Sequence, residues 1–176
     1  MNKRSVLLLT SLVFMGFVSV AYTQDELNMF TIYLVRHAEK ASAAEDPRDP
    51  PLSTCGELRA EALATMLKDV HLAKVYSTPY ARTRGTALAV ADSHHLETET
   101  YDPQNLDGFA GLLLERKQNS LVIGHSNTTA ILAGLLSGEA GEEFGEEEYD
   151  RLYQVTLSGD ERQMVLLHQA FSCNQQ

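Results

Sequence analysis

A chain of 176 residues with an apolar fraction of 44% is long enough for one well-buried core and too short for two ordinary domains. Fourteen basic residues against 24 acidic ones give a net charge of −10, and such a surface repels nucleic acid and anionic membranes. Any site for a phosphorylated ligand must then be a local positive focus set in a negative surface.

Lys3 and Arg4 precede an uncharged, mostly apolar run from Val6 to Ala21, and Ser19-Val20-Ala21 offers small residues where a signal peptidase reads. This is the pattern of a secretory signal peptide over residues 1–21. The expectation is an exported protein, periplasmic or secreted, whose residues 22–176 form a single domain. An uncleaved membrane anchor is the lesser alternative, because a span needs roughly 20 apolar residues. Without Lys3 and Arg4, 12 basic residues face 24 acidic ones and the net charge becomes −12. Cys55 and Cys173 are the two cysteines; export permits them to pair, provided folding brings their Cα atoms within ~7 Å.

Strand and helix patterns then alternate. Residues 30–35 read as a strand, followed by a loop at Pro47 to Pro51. Thr54-Cys55-Gly56-Glu57 fits a capping box, and Leu58, Ala62, Leu63, Met66, Leu67 and Val70 mark one face of the helix behind it. Val75 to Ser77 is a short strand. Thr78, with Pro79 at the first helical position, caps a helix that turns Ala87, Leu88 and Val90 inward. Leu96 to Tyr101 is a weakly alternating strand, and Asp102 caps a helix from Pro103 through Leu106, Phe109, Ala110 and Leu113. Leu121 to Gly124 is a buried strand. Ser126 or Asn127 caps a helix through Ile131, Leu132, Leu135 and Leu136 that ends at Gly138. Glu139 to Asp150 is an acidic loop, and two strands at 151–157 and 163–169 close the chain. This order predicts an α/β fold: a three-layer α/β/α sandwich around a mainly parallel sheet.

In such sheets ligands bind outside the carboxyl ends of strands. Two histidines sit at such ends: His37 after Phe30–Val35 and His125 after Ser120–Gly124. Arg36 adjoins the first, and Arg82 lies in the first turn of the helix between them, where backbone N–H groups favour an anion. Two imidazoles and two guanidiniums suit a phosphoryl group. A neutral His37 can attack phosphorus and form a covalent intermediate. Arg36 and Arg82 suit bidentate phosphate contacts and disfavour imidazolium, and His125 can donate to a non-bridging oxygen.

These segments resemble the histidine phosphatase superfamily, which includes the phosphoglycerate mutase-like enzymes. Leu34-Val35-Arg36-His37-Ala38-Glu39-Lys40 is similar to its signature, with Ala38 where glycine is commoner. Pro51-Leu52-Ser53-Thr54-Cys55-Gly56-Glu57, Pro79-Tyr80-Ala81-Arg82 with Thr86-Ala87, and Val122-Ile123-Gly124-His125-Ser126-Asn127 resemble the segments that follow. The resemblance implies His37 as the phosphorylated residue, a phosphate pocket of Arg36, Arg82 and His125, and no metal or other cofactor. It implies a phosphatase acting on a phosphate monoester or phosphoramidate, in a phosphorylated small molecule or protein side chain. A phosphoglycerate-type mutase and a non-catalytic binder of phosphorylated ligands are the alternatives. Residues 30–169 lack long insertions, which looks like the short phosphohistidine-phosphatase-like members. The family's usual acid for the leaving oxygen has no unambiguous equivalent: Asp102 reads equally as acid or helix cap, and Glu39 as an orienting group or a solvated one.

The remaining histidines read as structural. His94-His95 is an exposed helix end, since adjacent positions do not share a helix face, and His71 and His168 lack evident partners. The acidic stretch 139–150 reads as a solvated loop, with calcium binding a lesser reading because the EF-hand order is absent. Ser126 lies outside the Gly-x-Ser-x-Gly pattern of a nucleophile elbow. Oligomeric state is not legible.

Overall fold

The computed structural model describes residues 29–142 and 144–173, and the leader segment read at residues 1–21 lies outside them. In chain order the elements are β1 (Phe30–Arg36), α1 (Thr54–Leu67), β2 (Lys74–Ser77), α2 (Ala81–His94), β3 (Thr98–Thr100), α3 (Leu106–Arg116), β4 (Ser120–Gly124), α4 (Ser126–Ser137), β5 (Arg151–Ser158) and β6 (Glu161–His168). They build one six-stranded sheet in the order β3-β2-β4-β1-β5-β6. The pairs β2–β3, β2–β4 and β1–β4 are parallel, while β1–β5 and β5–β6 are antiparallel. The closing hairpin turns at Gly159, whose φ is +57°.

Strand side chains alternate between the two faces, and the apolar residues divide accordingly. Leu34 and Val122 join Ile32, Tyr76, Leu132 and Leu136 in one core cluster. Val35 and Ile123, one residue on, join Leu63, Val75, Val90 and Leu121 in the other. Helices α1 and α2 pack together, as do α3 and α4. The architecture is the α/β/α sandwich expected from the sequence, and β4, buried at every position, is its innermost strand. Among the described residues no helix is long and apolar enough to cross a membrane.

Helix starts differ from the sequence reading. Ser53, not Thr54, caps α1, its side chain accepting from Gly56 N–H. Tyr80 precedes α2, so Pro79 lies before the helix and the Thr78 hydroxyl is free for other bonds. Asn105 caps α3, and Asp102 instead accepts from Gln104 N–H to close a turn. His125 itself caps α4. Helix faces differ too. Leu58, Met66, Leu88 and Ile131 are exposed, whereas Arg59 of α1 is buried. The reason lies at Gly56: a Cβ there would stand 2.1 Å from the Glu39 carbonyl oxygen. That contact presses α1 against the segment after β1 and turns Arg59 inward to Glu39, a rotation that apolar periodicity does not record.

Candidate active site

β1 and β4 are parallel neighbours with Arg36 opposite Gly124, so His37 and His125 leave the sheet at the same edge. The His37 N–H donates to Gly124 O at 3.0 Å. Their rings meet edge to face with centroids 5.5 Å apart. β2 lies on the other side of β4 and delivers Thr78 and then α2 to that edge. Thr86 of α2 ties the two segments together: its hydroxyl accepts from Ala38 N–H at 3.0 Å. Arg36, His37, Arg82 and His125 thereby line one cavity of about 520 Å³, with Lys40, Tyr80, Gln104, Ser126 and Glu146 on its walls.

Both imidazoles are held neutral. Burial, then the charges of Arg36, Arg82 and His125, push His37 down to about 3, against a hydrogen bond to the Ala38 carbonyl that pulls the other way. Burial and the same two arginines push His125 down to about 4. The hydrogen bonds choose the tautomers. His37 Nδ1 lies 2.7 Å from Ala38 O, a pure acceptor, so Nδ1 carries the proton and Nε2 keeps its lone pair. The His125 N–H donates to Thr128 Oγ1 at 2.9 Å and its carbonyl accepts the Thr128 and Thr129 N–H groups, which fixes the residue at the start of α4. The ring's Nε2 lies 2.9 Å from Thr78 Oγ1. Thr83 Oγ1, 2.8 Å from Thr78 Oγ1, donates to the Thr78 and Tyr80 carbonyls, so it accepts the Thr78 hydroxyl proton and Thr78 in turn accepts from the His125 Nε2–H. One imidazole thus presents a nucleophile and the other a hydrogen-bond donor.

The arginines are less alike than the sequence suggests. Arg36 is buried, and its Nη1 donates to the carbonyls of Gly145, Glu146 and Glu148 at 3.0, 2.7 and 3.2 Å. Tyr149 covers the guanidinium at 4.3 Å. The buried Nε has no partner among the described residues. Arg82 pairs with Asp49 at 3.6 Å and lies 4.6 Å from the Tyr80 ring. Asp49 also accepts the Ala81 N–H at 2.8 Å, so a carboxylate of the chain already answers the first N–H of α2.

Residues 32–103 match the histidine phosphatase superfamily, branch 1. That segment holds Arg36, His37 and Arg82, while His125 lies beyond it. Phosphoserine phosphatase 1 of Hydrogenobacter thermophilus is 40% identical over 73 residues, covering 39% of this chain and 35% of that protein. The probable phosphoglycerate mutase GpmB of Escherichia fergusonii is 32% identical over 103 residues, covering 56% of this chain and 47% of that protein. The matched stretches therefore span between a third and a half of these relatives. In fold, the protein histidine phosphatase SixA, solved with tungstate, superposes with a TM-score of 0.66 at 23% identity, over 79% of this chain and 97% of its own. The fold is phosphoglycerate mutase-like.

The two carboxylates weighed in the sequence as possible acid or orienting groups, Asp102 and Glu39, do not line the cavity. Glu39 is clasped by Arg59, with three N–O distances of 2.7 to 2.9 Å, and Asp102 lies outside the residues that line the cavity. Gln104 takes the wall position instead. Cys55 and Cys173 are bridged, with Cα atoms 5.8 Å apart. Glu39 and the two sulfurs cluster within 4.8 Å, but bridged sulfurs are not thiolate ligands and the carboxylate already serves Arg59. His94 is no free helix end: its ring lies within hydrogen-bond distance of the Leu67, Val70 and Val90 carbonyls, joining α1 to α2. His168 Nδ1 pairs with Asp150 at 2.9 Å. The acidic segment is the largest difference. It folds over Arg36 and brings Glu146 and Tyr149 to the site. Its glutamates gave only a charge signal in the sequence, whereas its carbonyls, invisible there, form the anchor.

Proposed function

We propose that this protein is a phosphatase that hydrolyses a phosphate monoester or phosphoramidate through a phosphohistidine on His37. The observation that supports the reading is the convergence of one imidazole acceptor, one imidazole donor and two guanidiniums on a single cavity. His37 Nε2 forms a bond to phosphorus as the bond to the leaving oxygen or nitrogen breaks. The leaving atom takes the electron pair and a proton from water. Arg82, the Nε and Nη2 groups of Arg36, and the His125 Nε2–H as it exchanges Thr78 Oγ1 for the substrate hold the non-bridging oxygens, where charge is spread in the transition state. Water then attacks the phosphohistidine, the P–N bond breaks, and Nε2 regains its pair as inorganic phosphate leaves.

His37 and His125 are the catalytic residues of this proposal, and Arg36 and Arg82 bind phosphate. The chemistry draws on no metal, so activity is expected to survive chelation. Among the described residues the one carboxylate on the cavity wall is that of Glu146, held by Arg36 and Ser126 rather than free to protonate a poor leaving group, which favours phosphoramidates and activated esters. The Cys55–Cys173 bridge supports an exported protein, since disulfides persist in oxidising compartments. The deciding experiment is a screen of phosphate esters and phosphoramidates with wild type and His37→Ala. Turnover in the wild type that vanadate inhibits and His37→Ala abolishes is expected. Full activity in His37→Ala overturns the proposal. Phosphoryl exchange between positions of one sugar acid, faster than phosphate release, would mark a mutase. Tight binding without turnover would mark a binder.

A further inference from the structure

We infer that Glu146 is a charge filter at the cavity mouth, selecting against substrates that carry a carboxylate beside the phosphoryl group and for those with a neutral or cationic leaving group. The inference rests on the phosphatase reading and names the substrate class of the same site. Its basis is the contrast between depth and rim. Arg36 is only 2% exposed in its side chain, whereas Glu146 is 75% exposed, so the phosphoryl-binding groups lie deep and the glutamate lies where the leaving group must emerge. Its carboxylate is placed: Oε2 lies 3.3 Å from Arg36 Nη2, and Oε1 accepts from Ser126 Oγ at 3.1 Å. The backbone behind it is fixed as well, because the Gly145, Glu146 and Glu148 carbonyls hold the buried guanidinium. Displacing that backbone would leave Arg36 Nη1 without its carbonyl acceptors, a costly loss for a buried charge, so the glutamate stays at the mouth, its carboxylate held there by Arg36 Nη2 and Ser126.

Lys40 is the rim's counter-charge, so a second substrate charge meets one of two opposite groups. The glutamate has two anchors, whereas Lys40 is an exposed residue on a flexible stem. The fixed charge decides which substituent is tolerated. A phosphoryl group reaching Arg36 brings its neighbouring atoms against the Glu146 carboxylate, where an anionic substituent is repelled and an ammonium is attracted. The exposure of Glu146 screens the effect to about tenfold.

Phosphoethanolamine and phosphoglycolate provide the test, one bearing an ammonium and the other a carboxylate beside the ester. The wild type is expected to favour phosphoethanolamine, and Glu146→Gln to shrink the kcat/KM ratio about 5- to 10-fold, mainly through KM. Glu146→Asp should keep the preference, Glu146→Lys reverse it, and Lys40→Met leave it in place. An unchanged ratio in Glu146→Gln, equal gains for both substrates, or a preference that follows Lys40 overturns the inference. If neither ester is turned over, the affinities of the same compounds read the filter by calorimetric titration, so that failure of the phosphatase reading remains separable from failure of the filter.

Discussion

At the residue scale, the two imidazoles are distinguished by what their nitrogens touch. His125 is held from both sides, its backbone by Thr128 and Thr129 at the start of α4 and its ring by the buried Thr78–Thr83 hydroxyl pair. Replacing Thr78 with valine keeps the shape and removes the acceptor for Nε2–H. A loss of about tenfold in kcat with little change in KM is expected, with recovery in Thr78→Ser; an equal loss in both variants would leave Thr78 no more than a packing residue. Oxyanion donors typically contribute 10²–10³ in rate, so a positioning partner should cost less than His125 itself. The acid side of the pH profile follows from the same surroundings. With His37 pushed down to about 3 and His125 to about 4, both stay neutral at pH 5. Once substrate ionisation is divided out, the acid limb of kcat/KM, which reports the free enzyme, should fall near pH 4 and not near 6.5. The sign for stability is the same. The unfolded chain binds protons at these histidines from about pH 6.5 downward, while the folded chain does not until about 3 to 4. Their contribution is full above 6.5 and is lost as pH falls through that window, which urea titrations at pH 7 and pH 5 would register.

At the scale of elements, α1 shows where a pattern of residues stops being informative. The strands were legible because β4 and β1 carry unbroken or alternating apolar runs with few rival readings, and the site was legible because both histidines stand directly behind those runs. Helix caps were not, since Ser53, Thr54, Tyr80 and Asn105 compete with neighbours whose hydroxyls and amides are equally able to accept. What chose among them was tertiary contact. Ser53 N–H bonds to Glu39 O at 2.9 Å, Asp49 holds the start of α2, and Gly56 lets α1 approach the Glu39 backbone. The last point can be tested against an internal control. Gly111 in α3 has no neighbour within 4 Å of a Cβ, so Gly111→Ala should stabilise by about 0.5–1 kcal/mol through helix propensity. Gly56→Ala gains the same propensity but drives a methyl into a carbonyl oxygen, and forced displacement in a packed region costs about 1–3 kcal/mol. A net loss is expected in urea unfolding, together with lower turnover because Glu39 is two residues from His37. Stabilisation at both positions would mean that the approach at Gly56 is not fixed by its surroundings.

At the scale of the whole molecule, the sheet's far side and its C-terminal tail are tied back to the signature segment. β6 is an exposed edge strand, and its Arg162 donates to the Leu136 carbonyl at 2.8 Å. Beyond it the chain returns to α1: Arg59 donates to the Phe171 carbonyl while holding Glu39, and Cys173 bridges Cys55 across 118 residues. A closure of that length restricts the unfolded chain by about 4–5 kcal/mol in the chain-entropy view, with measured values for native bridges commonly 2–5 kcal/mol. The bridge should therefore matter to stability far more than to chemistry, because it lies outside the residues that line the cavity. Replacing both cysteines with serine is expected to lower the unfolding free energy by about 2–4 kcal/mol, seen as an earlier urea midpoint, with kcat within about twofold of wild type. Reduction of the native protein should reproduce the shift, and the serine variant should not respond to reductant. A large fall in kcat in a variant that remains folded would instead mean that the tail, through Arg59 and Glu39, sets the position of His37.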